Sequence, residues 1–327
     1  MVTVIGGAAS GGLNFDTELN IGSLAYADSA QGNASFVQLR TEAGGTFHDN
    51  FYGSFIFNPA GELTGGTLNR WQETYDGSLV FDIQGASVPV ATFLSWVQNN
   101  QGALAVRTVL AGNDSIAGTA YADLLRGYDG ADTINGGGGG DLIDGGAGTS
   151  YLRGDDGNDT VTGDAAFDDI NGNAGDDSAS GGAGDDWVVG GKDQDRLAGD
   201  DGADIVYGNL GNDTCDGGAG ADIVRGGQGD DIVTGGAGND WLSGDKGSDT
   251  VTGGAGADIF HSFGDAGLDR VTNFNRAEGD RVQLDPGSTY TVAQSGADTV
   301  ISITGGAQMV LAGVSMASLT GDWIFVA

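Results

Sequence analysis

A chain of 327 residues is long enough for one to three domains and a buried core. Its 64 glycines and three prolines lie far from ordinary usage, yet 39% hydrophobic residues are too many for a disordered linker, and a repeat architecture follows. The formal charge of −34 excludes nucleic acid as a partner, and a single cysteine, Cys215, with two histidines, His48 and His261, excludes a disulfide framework and a Cys- or His-rich zinc site.

The opening "MVTVIGGAASGGLNF" has neither a basic n-region nor a long apolar h-region, so no cleaved N-terminal signal is expected. No apolar run reaches membrane-spanning length. Within residues 1–108, the stretches 35–40, 52–58, 69–75 and 78–82 read as antiparallel strands joined by Gly-rich turns. "SVPVATFLSWVQNN" predicts one amphipathic helix: Ser87 can cap it, Pro89 suits its first turn, and Val90, Phe93, Leu94 and Val97 share a face. Such a helix would pack on the sheet or cover the first rung of the segment that follows. No HExxH or GxSxG motif is present, and His48 beside Asp49 lacks a third partner. Glu73 and Asp82 are carboxylates without a readable separation. Catalysis is therefore not expected, and a hydrolase is the weakest reading of this N-terminal β-rich domain of unknown function.

The segment 109–261 keeps strict time. Its 153 residues fall into seventeen nine-residue registers without insertion or deletion. Position 1 is Gly in every register after the first; position 4 is Gly except at Tyr121, Ala166 and Asp193. Position 6 is Asp114, Asp123, Asp132, Asp141, Asp159, Asp168, Asp177, Asp186, Asp195, Asp204, Asp213, Asp222, Asp231, Asp240, Asp249 and Asp258, and fails only at Ser150. Position 8 is apolar throughout, from Ile116 to Phe260. Glycines allow a tight loop over positions 1 to 6, and positions 7 to 9 are a short strand with its middle side chain inward. Stacked turns of two registers each then form two facing parallel sheets around a continuous apolar ladder.

This segment holds 30 acids, all Asp, against 6 bases, a net charge of −24. So dense a charge opposes compaction unless a cation neutralises it. Loops one turn apart stack at about 4.8 Å, which brings position-6 carboxylates of alternate registers together. Backbone carbonyls from the glycine loops complete an oxygen shell that suits calcium better than magnesium. About a dozen ions are expected, with weaker sites around Ser150 and the position-4 exceptions.

"GGQGDDIVT" and "GGAGNDWLS" resemble the GGxGxDxUx nonapeptides of the repeats-in-toxin (RTX) family. The resemblance implies a calcium-loaded parallel β-roll. The fold class expected is thus mainly all-β: a parallel β-roll solenoid of nonapeptide repeats over 109–261, an N-terminal β-rich domain with one helix over 1–108, and a C-terminal β cap over 262–327.

Beyond the repeats, 281–284, 290–293 and 299–303 read as short strands between Pro-Gly and Gly-rich turns. "DRVTNF" and "GDRVQL" resemble strands that cap the roll in serralysin-like secreted proteins, and the terminal "DWIFVA" looks like an uncleaved signal for type I secretion machinery. The resemblance implies an extracellular or cell-surface location, with a chain that stays unfolded in calcium-poor cytosol and folds in calcium outside.

The outward position 7 of the odd registers carries Ser115, Thr133, Tyr151, Asp169, Trp187, Ile205, Ile223, Trp241 and Ile259. Tyr151, Trp187, Ile205, Ile223, Trp241 and Ile259 form an apolar stripe on one sheet, a candidate interface with another copy of the chain. The expected function is a non-enzymatic, calcium-dependent structural protein that self-assembles in a surface layer or fibril. The alternative is an adhesin that binds a surface glycan through residues 1–108.

Overall fold

The computed structural model describes the backbone of strands Thr3–Gly6, Asn33–Glu42, Thr46–Phe57, Leu63–Tyr75 and Ser78–Pro89, and all residues from 110 to 327. The chain separates into two compact units, Met1–Tyr151 and Leu152–Ala327.

In the first unit, Asn33–Glu42, Thr46–Phe57, Leu63–Tyr75 and Ser78–Pro89 pair antiparallel in sequence order. These strands contain the stretches expected from alternation, apart from Asn58, which lies outside the described residues. Ser87, Val88 and Pro89 do not open a helix. They end the strand Ser78–Pro89, where β-branched Val88 pairs with Leu68 and the proline sits at the strand terminus, so its missing N–H interrupts no ladder. The rest of the expected helix, 90–100, lies outside the described residues. The first rung, Ser115–Ala117, is paired by the strand Thr3–Gly6, which runs parallel to it and antiparallel to Ser78–Pro89. Parallel pairing continues from Ser115–Ala117 to Thr133–Gly138, and from Leu124–Arg126 to Leu142–Asp144.

In the second unit the solenoid is regular. Strands such as Trp187–Lys192 and Ile205–Leu210 are six residues long, twice the expected length, because positions 2 and 3 of the glycine loop also join the ladder. Trp187, Val188 and Val189 pair with Ile205, Val206 and Tyr207; the pairing then skips position 1 and resumes with Gly191 on Asn209. Each strand therefore bends at its position-1 glycine.

Position 8 points inward at every rung, with Val188, Val206, Cys215, Val224, Val233, Leu242 and Phe260 all fully buried. Parallel stacking puts like side chains in register, so each rung extends the same apolar column. Position 2 takes the left-handed conformation, and where it is not Gly it is mostly Asp or Asn: Asp155, Asp164, Asn173, Asp200, Asn209 and Asp245 have φ between 69° and 83°. Short polar side chains tolerate that region, whereas a longer Glu has no such advantage. This backbone demand is one reason the acids here are aspartates. Ala166 and Asp193, two exceptions at position 4, also sit at φ 70° and 74°.

The parallel ladder does not stop with the repeats. Ile259–Ser262 pairs with Arg281–Leu284, which pairs with Ile324–Val326. On the other sheet, Thr250–Ala255 pairs with Leu268–Val271, which pairs with Gln308–Leu311. The sheet then turns antiparallel through Asp298–Ile303 and Tyr290–Ser295. Strands expected after the repeats are therefore present, and "DWIFVA" contributes both a rung and Trp323, which packs edge-on against Phe274 with ring centroids 6.5 Å apart. Among the described residues no helix is long and apolar enough to cross a membrane.

Candidate metal centre

The position-6 aspartates are buried, none more than 5% exposed. A charged side chain in such a place needs partners. Half of the need is met by the backbone: the N–H of Asp186 donates to Oδ1 of Asp204 at 2.7 Å, that of Asp204 to Asp222 at 2.8 Å, and that of Asp213 to Asp231 at 2.8 Å. The same bond, one turn apart, recurs from Asp159 to Asp258 in the second unit and from Asp114 to Asp132 in the first.

The other oxygen is left over. Oδ2 of Asp132, Asp177, Asp186, Asp195, Asp204, Asp213, Asp222, Asp231, Asp240, Asp249 and Asp258, eleven carboxylates, is buried without a hydrogen-bond donor. Burial pushes the Asp195 and Asp231 carboxyls up to about 7, and those of Asp132, Asp177, Asp204 and Asp240 up to about 6. The backbone N–H pulls the other way without offsetting the burial, and neighbouring aspartates add to the rise.

What faces each orphaned oxygen is set by the glycine at position 1. A Cβ placed on Gly217 would lie 2.6 Å from Oδ2 of Asp222 and 2.6 Å from the carbonyl oxygen of Gly235, one turn on. The same two oxygens face Gly199, in Asp204 and Gly217, and Gly235, in Asp240 and Gly253. A side chain there would collide with both oxygens, so only glycine lets the carboxylate and the carbonyl of the next turn come together beside it. The residues present fit the ion. The described residues hold no group of three or more His, Cys, Asp or Glu side chains that gather as a ligand cluster, so carboxylates alone do not complete an oxygen shell, and the glycine-loop carbonyls lie beside them. Gly217→Ala is expected to fill one cradle and raise the calcium concentration at half-folding, a shift that a calcium titration followed by circular dichroism would detect. An unchanged midpoint would dissociate the glycine from ion binding.

Carboxylates of alternate registers do stack one turn apart, but they do not face one another symmetrically. Each gives one oxygen to the preceding turn's backbone and presents the other to its own loop. Two loops depart from the pattern. Ser150 replaces the carboxylate and holds the Asp132 N–H only at 3.4 Å. At Asp123, Oδ2 accepts the N–H and hydroxyl of Thr119, which stands at position 2, where the other registers from Tyr128 onward take the left-handed conformation. That loop supplies by itself the donors that a cation replaces elsewhere.

A second ladder was not legible as a site. Position 5 varies, but where it is Asn or Asp its side chain accepts the N–H of position 5 one turn later: Asn158 from Asp176, Asp176 from Gln194, Asp185 from Ala203, Asn212 from Asp230, Asp230 from Ser248, and Asn239 from Ala257. The frequency of Asn and Asp at that position was the available signal.

The outward stripe is also in register: Trp187, Ile205, Ile223, Trp241 and Ile259 occupy successive rungs of one sheet. Trp187 is 46% and Ile223 41% exposed, and Tyr151, at the end of the first unit, 49%. Ile205 and Ile259 are half-buried. Trp241 is engaged within the chain. Its ring stacks on His261 at 4.9 Å and its indole N–H donates to Gln283 Oε1 at 3.1 Å, while Asp285 holds the far side of the imidazole at 3.1 Å. The residues after the repeats therefore close the stripe at Trp241, and the open part runs from Trp187 to Ile223.

A family model described as RTX calcium-binding nonapeptide repeat (4 copies) matches residues 110–143, 136–170, 162–197, 192–224 and 225–260. Among solved structures, the AlgE6R3 subunit of the Azotobacter vinelandii mannuronan C5-epimerase is similar at 23% identity over 41% of this chain and 78% of that one, with a TM-score of 0.29. The extracellular lipase LipA from Serratia marcescens is similar at 20% identity over 57% of this chain and 41% of that one, with a TM-score of 0.24. No curated protein matches the chain. The nonapeptide phase, the two-sheet parallel solenoid and the ladder of buried aspartates agree with the match of residues 110–260 to the RTX calcium-binding nonapeptide repeat.

Proposed function

We propose that this chain is a secreted, non-enzymatic structural protein, folded by about a dozen calcium ions, that self-associates at the cell surface or in the extracellular matrix as a layer or fibril. The ions are held by the orphaned Oδ2 atoms of the position-6 aspartates together with glycine-loop carbonyls. Eleven such oxygens support a count near a dozen, with Ser150 and the Thr119-satisfied Asp123 loop as weak points. Export before folding, through type I secretion machinery, fits a segment of net charge −24 that has no reason to compact without cations.

The observation that carries self-association is the row Trp187, Ile205 and Ile223, with Trp187 and Ile223 exposed on either side of the half-buried Ile205, presented at strand spacing on a regular ladder. Large apolar side chains aligned in this way mark a contact surface, and a second copy brings the same row. A non-enzymatic role is supported by the fate of Ser243, His261 and Asp285, which line up like a nucleophile, base and acid. Ser243 is fully buried, its hydroxyl donates to Asp245 at 2.8 Å, and its contact with the imidazole is 3.4 Å. Such a serine has no access to a substrate.

In millimolar calcium the full chain is expected to form ordered oligomers or filaments visible by electron microscopy. Trp187→Asp with Ile223→Asp should leave it monomeric by light scattering, with the calcium-induced circular dichroism intact. Trp241 is a poorer choice, since its substitution also breaks contacts to His261 and Gln283. A wild-type chain that stays monomeric at high concentration in millimolar calcium would sink the assembly reading, and glycan binding that survives the double substitution would favour an adhesin.

A further inference from the structure

The two sheets end differently after the repeats. One ends in Ile324–Val326, only three residues long, with charge packed about it: the Arg281 guanidinium lies over the Phe325 ring at 4.2 Å, and Arg276 and Arg281 hold Asp322 at 3.0 and 3.5 Å. A short strand flanked by charges is one way proteins keep an open edge from pairing with another chain.

The other sheet ends in Tyr290–Ser295, six residues without that protection. From Pro286 to Ala297 the chain carries no charge, in a protein of net charge −34. Five residues of the strand are exposed, and Val292 is half-buried. It pairs with Asp298–Ile303 without a bulge, through a tight turn in which Gly296 takes φ 62°. Gln294 fixes that turn: its side-chain amide donates to the carbonyls of Gly296 at 3.2 Å and Asp298 at 2.9 Å and accepts the Met316 N–H at 2.7 Å. The edge is therefore ordered before any partner arrives.

Alternation decides which backbone groups it offers. The Thr304 N–H donates to the Thr289 carbonyl at 2.9 Å, whereas Ile303, one residue earlier, donates to Ala307 on the opposite side at 2.9 Å. The positions bonded to Asp298–Ile303 are therefore Thr291, Ala293 and Ser295, and the N–H and C=O of Tyr290, Val292 and Gln294 point to the open side.

We infer that Tyr290–Ser295 pairs antiparallel with the same strand of a second copy of the chain. With Val292 opposite its own counterpart, Tyr290 of each copy faces Gln294 of the other, and all three outward positions bond at once, in about six backbone hydrogen bonds. A two-fold axis at Val292 generates the contact, and the uncharged segment brings no carboxylate to it although both copies are acidic. The inference rests on the self-association reading given above. A row such as Trp187, Ile205 and Ile223 is one isologous contact and closes as a pair; a second two-fold contact elsewhere on each chain extends pairs into a filament. The strand alone is weak, since six residues bury less than the ~1,200 Å² of a stable interface. It holds only at high concentration, and a dilute chain with a substituted row stays monomeric.

The test compares wild type, Val292→Lys, Val292→Asp and an equimolar mixture of the two variants, each as the full chain at high concentration in millimolar calcium, by electron microscopy and sedimentation. Either substitution sets like charges directly opposite one another, so filaments should give way to pairs. Mixing the variants sets Lys against Asp and should restore filaments. If both variants alone form filaments as wild type does, or if the mixture fails to recover them, the strand contact is wrong while the row stands. A wild type that stops at pairs has the same meaning, and one that stays monomeric overturns both contacts. Should either variant not fold, Val292→Pro decides: it removes one outward N–H and no bond to Asp298–Ile303, so pairs in place of filaments support the contact and undiminished filaments overturn it.

Discussion

Chelating calcium at neutral pH is expected to unfold the repeat array, and restoring calcium to refold it. In the cation-free fold, eleven buried carboxylate oxygens lack a donor. An unsatisfied buried polar group costs about 1–3 kcal/mol and a charged one more, so the sum exceeds the ~5–15 kcal/mol by which domains are ordinarily stable. Repulsion within a segment of net charge −24 acts in the same direction. Against this, a site whose dissociation constant is a hundredfold below the free calcium concentration contributes about 2.7 kcal/mol, and a handful of such sites reverses the balance. Far-UV circular dichroism should therefore lose most of its β signal in chelator, in one cooperative step. A signal that survives excess chelator at pH 7 would mean that the apolar column alone holds the fold.

Protons are expected to substitute in part for calcium. Asp195 and Asp231 titrate near 7 in the folded chain, and Asp132, Asp177, Asp204 and Asp240 near 6, against 3.8 for an unperturbed carboxyl. A folded-state value raised above the unfolded one means that the folded chain binds protons the unfolded chain has already released. The associated stability is fully present below about pH 4 and is lost as pH rises through 6 to 7. In chelator, the chain should then gain β structure on acidification from pH 7.5 towards pH 4.5 and lose it on return. With calcium present, the same competition should raise the calcium midpoint as pH falls below 7. A calcium midpoint independent of pH between 5 and 8 would contradict the assignment of these carboxylates to the ions.

Much of this was legible because a strict period carries its own geometry. Gly at position 1, Asp at position 6 and the apolar side chain at position 8 named the loop, the carboxylate and the column before any contact was known, and Val188, Val206 and Val224 sit where the phase puts them. The division of labour within each carboxylate was not legible, because it depends on the backbone N–H of a residue 18 positions away. Nor was the self-satisfied Asp123 loop, which turns on a hydroxyl at Thr119. Where the phase breaks, at Ser262 and beyond, periodicity gave strands but no register, so Asp269 and Asp280, the next rungs of the buried aspartate ladders, passed as ordinary acids. Trp241 shows the limit of reading one sheet face alone. Its partners, His261 and Gln283, are 20 and 42 residues further along the chain, and only the stacking of later rungs brings them over its ring.

The central claim is that calcium binding and folding of the array are one event. Equilibrium dialysis against calibrated free calcium, with circular dichroism recorded on the same samples, tests it most directly. About a dozen ions per chain are expected to bind over the same narrow range of free calcium in which the β signal appears. Binding of only one or two ions across that range, or a β signal complete before any ion is bound, would contradict it.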